Sequence, residues 1–137
     1  MNSVVIDLGA LCDTSRLLED WREHAAHRFR VDAGALEDEL PNWESLLERF
    51  AEERAPIYWR PDAEASAVLR RLQDNGIRIG VFTDAPAPVA RIALAQLGAA
   101  RRVQALETGA DALARLRARF GDDTRVVRTR ADLVSLI

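Results

Sequence analysis

Residues 3–14 read Ser-Val-Val-Ile-Asp-Leu-Gly-Ala-Leu-Cys-Asp-Thr, and the rest of the chain is organised around them. Val4, Val5 and Ile6 form an uninterrupted β-branched run that ends on Asp7, after which the chain turns through Gly9. A run that is apolar on both faces predicts a buried strand of a parallel sheet, whereas a half-solvated strand would alternate. Such a strand delivers its last side chain, here a carboxylate, to the sheet edge where open α/β folds bind ligands.

The same pattern recurs downstream. Residues 77–83, IRIGVFT, predict a second apolar strand with Thr83 at its end, and shorter strands are expected at 103–106 and 125–127. Helices are expected between them: Asp62 to about Asn75, residues 87–97 closed by Gly98, a helix capped by Thr108 and running to Phe120, and residues 131–137. Strand and helix in alternation give a parallel α/β sheet with right-handed crossovers. Residues 14–55 interrupt this order. A helix over 16–30, helical turns near 33–40 and a helix from Asn42 to about Arg54 predict a compact helical insert ended by Pro56. The core would then comprise residues 1–13 and 56–137. Trp21, Trp43, Tyr58 and Trp59 suit the interior of that insert, although a ligand pocket or interface could also use them.

Composition narrows the function classes. A chain of 137 residues, 48% hydrophobic and 30% charged, suits one globular domain. No apolar run is long enough for a membrane span and no secretory leader is recognisable, so a cytoplasmic protein is expected. Cys12 is the only cysteine, which excludes an internal disulfide. All nineteen basic residues are arginine, so no mechanism can use lysine. Residues 1–64 carry seven Arg and fifteen Asp or Glu, whereas 65–137 carry twelve and seven. The two halves could neutralise each other within one chain, or provide for a homodimer or a protein partner. Arg115, Arg117 and Arg119 do not share one helix face, so nucleic acid is not an expected partner. His24 and His27 lack a third convincing metal ligand.

The stretch ending in Asp7 resembles the first motif of the haloacid dehalogenase-like (HAD) phosphohydrolases, whose strand ends in Asp-x-Asp-Gly-Thr-Leu or a variant such as Asp-Leu-Gly-Gly-Val-Leu. NGIRIGVFTDAPAPVARIALAQLGA, residues 75–99, is similar to the second motif and its surroundings, and ETGADALARLRARFGDDTRVVRTRADL to the segment bearing the third and fourth. The resemblance implies a three-layer Rossmann-like fold with a reduced helical cap. It also gives Asp7 the position of the nucleophile, which forms an aspartyl-phosphate, and Thr83 that of the phosphate-binding hydroxyl.

The motifs are degenerate at the positions that carry the chemistry. Gly9 stands where the commonest motif has its acid-base aspartate, a lysine is absent near Thr108, and the fourth strand runs into Val127-Arg128-Thr129-Arg130 where family members carry Mg²⁺-binding acids. A divalent ion beside a guanidinium is strongly repelled, so neither metal nor other cofactor is expected. Instead Arg128 or Arg130 is expected to reach Asp7 and pair with it. The favoured reading is a noncatalytic HAD-like binding, regulatory or oligomerising protein. The alternative is a small-molecule phosphatase in which Asp7 attacks and Asp13, Asp84 or Asp132 recruits Mg²⁺. A third reading is anion binding by Thr83, Arg128 and Arg130 without turnover. Simpler local roles are also open: Asp7 and Asp84 as caps of the turns that follow them, Thr83 bonded to nearby backbone.

Overall fold

The computed structural model describes residues 1–137. Four parallel strands, β1 (Ser3–Asp7), β2 (Arg78–Thr83), β3 (Ala105–Thr108) and β4 (Thr124–Val127), form one sheet in the order β3-β2-β1-β4. Its helices are α1 (Ser15–Phe29), α2 (Leu36–Glu39), α3 (Trp43–Tyr58), α4 (Ala63–Asp74), α5 (Ala87–Gln96), α6 (Ala112–Phe120) and α7 (Arg130–Val134). The chain steps outward from β1 through β2 to β3 and then returns across the sheet to β4. Since parallel crossovers are right-handed, the return must lie on the face opposite the two outward steps. This is the arrangement found. Val4, Ile6, Ile79 and Val81 face a large apolar cluster with α4 and α5, while Val5 and Phe82 face a small one with Leu116 and Phe120 of α6. The molecule is a three-layer Rossmann-like α/β fold.

The insert shares the larger cluster. Leu17, Trp21, Leu36, Leu47 and Phe50 belong to the same continuous interior as Val4 and Ile6, and α3 lies along α5 as well as α1. At the seam, the Trp59 indole N–H donates to the Asp13 carbonyl at 2.9 Å, tying the residue where the insert returns to the residue where it leaves. The Tyr58 hydroxyl adds a bond to the Asp20 carboxylate.

Three local expectations are corrected. Pro56 does not end α3, which continues to Tyr58. The ring removes one donor, but the Trp59 N–H reaches the Ala55 carbonyl at 2.9 Å and closes the last turn around it. The third strand begins at Ala105 rather than Val103, because residues 100–102 form a 3₁₀ turn. Gln104 prolongs the ladder: its side-chain oxygen accepts from the Ile79 N–H at 2.7 Å while its own N–H donates to the Ile79 carbonyl at 2.8 Å. Thr108 closes β3 instead of capping α6, whose N-cap is Asp111 in the left-handed region at φ 64°.

Candidate active-site cleft

The C-terminal ends of the strands open into a cleft of about 770 Å³ that brings together Asp7, Gly9, Thr83, Asp84 and Arg128. Pairing of Asp7 with Phe82 and of Thr83 with Thr108 sets β1, β2 and β3 level at this edge. Ile6 pairs with Val127, which places Arg128 one residue further on, beside Asp7. Asp13 before α1 and Leu18 and Arg22 on it contribute to the wall, and the start of α6 contributes Asp111.

Most of these groups already have local partners. One oxygen of the half-buried Asp7 carboxylate accepts the Gly9 N–H at 2.9 Å and caps the 3₁₀ turn that follows β1. The Thr83 hydroxyl oxygen accepts from the Ala85 N–H at 3.1 Å, so its own hydrogen remains free to donate toward the cleft. Asp84 is exposed and does not cap α5, whose N-cap is Pro86. Asp13 accepts both the Ser15 N–H at 2.9 Å and the Ser15 hydroxyl at 2.7 Å, and these two bonds hold its carboxyl below the usual range. Arg22 binds the Glu37 carboxylate and donates to the Ala33 carbonyl at 2.9 Å, so its charge is committed to the insert. Burial and the neighbouring Asp13 push the half-buried Cys12 thiol up to about 12, which makes it a poor nucleophile.

The expected pairing of an arginine with Asp7 is not formed. Arg128 extends past β1 and lies over the Phe82 ring, 5.5 Å from its centroid, without an ion pair. Arg130 lies outside the cleft altogether. It donates to the Ala10 and Leu11 carbonyls at 2.8 and 3.2 Å, and pairs with Asp62 at 2.5 Å and Glu64 at 3.3 Å. The reason is direction: Arg130 opens α7 one turn beyond the strand, on the α4 side, where the α4 N-terminus presents two carboxylates. Asp132 is carried into α7 and does not line the cleft. Arg22 and Asp111 were not singled out from the sequence. Asp111 follows a strand end and could have been found by that rule, whereas nothing local marks Arg22.

The acids present do not suit a magnesium ion. No group of three His, Cys, Asp or Glu side chains converges anywhere in the molecule. Gly9 supplies no donor of its own; its N–H occupies an Asp7 oxygen, and a Cβ there would lie 3.3 Å from that oxygen. A hard divalent cation needs several convergent oxygens, and here a guanidinium stands at the strand end beside Asp7. His24 and His27 likewise belong to no metal-binding group.

No protein-family model and no curated protein matches the sequence. Among solved structures, a Thermotoga maritima protein assigned as a beta-phosphoglucomutase superposes with a TM-score of 0.63. The match covers 92% of this chain and 75% of that one, at 15% sequence identity. At such identity the likeness speaks for the fold alone, the three-layer Rossmann-like arrangement of the parallel sheet and its helices. No helix is long and apolar enough to cross a membrane.

Proposed function

We propose that this chain is a HAD-like hydrolase homologue whose metal-dependent phosphatase site has eroded, and that it acts by binding rather than by turnover, as a cytoplasmic protein with a protein partner or a second copy of itself. The observation that carries this reading is the strand edge. The carboxylate in the nucleophile's position stands beside Arg128, and no group of three His, Cys, Asp or Glu side chains suited to a metal ion forms around it. Hydrolysis through an aspartyl-phosphate would need a group to protonate the leaving oxygen and activate water, and Gly9 offers neither. What the cleft retains is a hydroxyl with a free hydrogen at Thr83 and an exposed, unpaired guanidinium at Arg128, a pair suited to holding an anion.

The test is p-nitrophenyl phosphate hydrolysis in the presence of Mg²⁺ by the wild-type chain and by Asp7→Asn. Both should show the same negligible rate, and the thermal midpoint should not respond to Mg²⁺ or to EDTA. Turnover abolished by Asp7→Asn would establish the phosphatase alternative instead.

A further inference from the structure

A second concave surface lies between α1 and α3, lined by residues distinct from those of the strand-end cleft. It encloses about 450 Å³, a volume in the range of small-molecule sites. Three guanidinium groups, Arg28, Arg49 and Arg54, surround it together with His24, against a single carboxylate, Glu53. This concentration runs against the local composition, since residues 1–64 hold only seven arginines among fifteen acids. Arg28 and Arg49 nevertheless form no ion pair, and Arg54 reaches only the adjacent Glu53, at 3.7 Å. The floor is apolar and fixed. Phe50 is packed 5.5 Å from Trp21 and 5.1 Å from His24, and Arg54 lies over its ring at 4.2 Å, so one cation is already held in place before any ligand arrives. His24 registers the same field: burial, and then Arg54 and Arg28, hold its imidazole below the ordinary value, with Glu53 opposing them.

We propose that this groove is a binding site for a small organic anion, an apolar or aromatic body carrying phosphate or carboxylate groups. Unpaired guanidinium groups around an apolar floor supply forked donors for the anionic group and a dry surface for the rest of the molecule. The proposal does not depend on whether the strand-end cleft is active, because the two sites share no lining residue.

The test is an NMR titration of the whole chain with phenyl phosphate, with neutral phenol as control. Shifts should centre on the Trp21 indole N–H, His24 and Phe50. The dissociation constant should weaken by about tenfold in Arg49→Gln and further in Arg28→Gln/Arg49→Gln, as loss of charge-assisted bonds requires. Arg128→Gln should leave it unchanged. Arg28 and Arg49 are exposed, and an unaltered thermal midpoint would show that the variants remain folded. Shifts centred on Thr83 and Asp84, equal binding of phenol, or affinity indifferent to both arginines would overturn the proposal. A tetraglutamate peptide binding the groove more than about tenfold tighter than phenyl phosphate would overturn it in favour of an acidic protein segment.

Discussion

Replacing Arg130 by methionine should destabilise the protein more than any other exchange of a half-exposed charge. Its guanidinium bridges three parts of the chain: the turn after β1 through the Ala10 and Leu11 carbonyls, the α4 N-terminus through Asp62 and Glu64, and α7, which carries it. Methionine keeps much of the apolar stem and removes every donor. Charge-assisted bonds of this kind contribute about 1.5–3 kcal/mol each when sheltered, but this side chain is 34% exposed, and solvent reduces the combined loss to about 2 kcal/mol. For a domain of this size the thermal midpoint should fall by roughly 6–8 °C at neutral pH. Asp62→Asn preserves an oxygen to cap Glu64 and Ala65 while removing the charge, so the double-mutant cycle isolates the pair, with an expected coupling of about 1 kcal/mol.

The effect has a defined pH dependence. The hydrogen bond from Arg130 leads the causes that hold the Asp62 carboxyl below its ordinary 3.8. A depressed acid contributes stability that is complete above the unfolded value and disappears as pH falls through the folded one. Wild type and Arg130→Met should therefore differ fully above about pH 4 and by less below it, where the bonds to the Ala10 and Leu11 carbonyls still separate them. Calorimetry across that range decides the matter. A midpoint within about 2 °C of wild type at pH 7, or a difference that grows on acidification, would refute the assignment of Arg130 as the clamp.

Other expectations concern single contacts. Gly80→Ala should cost about 1–3 kcal/mol in a denaturant melt, because the new methyl would sit 2.7 Å from the Phe120 ring and 3.2 Å from Leu116. Trp59→Phe, at a position only 2% exposed, leaves the Asp13 carbonyl without its indole donor and should lower stability by about 1–2 kcal/mol; an unchanged midpoint would mean that this seam bond contributes nothing. Cys12 should react with a disulfide reagent at pH 8 far more slowly than a free thiol and approach the free rate only in denaturant, since its pKa stands near 12.

The sheet was legible because its strands announce themselves chemically. Val4-Val5-Ile6 and Ile79-Gly80-Val81-Phe82 are buried on both faces, and no other element places such runs so close to a terminal polar residue. The misreadings have different causes, some local and some tertiary. Pro56 is a strong helix breaker in isolation, yet it falls in the last turn of α3, which the Trp59 N–H closes on the Ala55 carbonyl. Gln104, inside the strand expected over 103–106, lies just before β3 and joins the ladder partly through its side chain. Asp7, Thr83, Asp84 and Arg128 could be collected at one edge simply because they follow strands. Arg130 could not be placed, since its partner Asp62 lies 68 positions away in sequence and only the packing of α7 beside α4 brings them together.

The continuity of the interior from β1 into α1 and α3 governs how any ligand reaches the strand edge. Swinging the three insert helices aside would expose Leu17, Trp21, Leu47 and Phe50 at once, an excursion comparable with unfolding the whole domain. The mouth is accordingly held at a fixed width. Association should follow one exponential whose rate rises linearly with ligand concentration, without the plateau that a gating step imposes, and the protected amides of α1 and α3 should exchange with solvent at the same slow pace as those of β1.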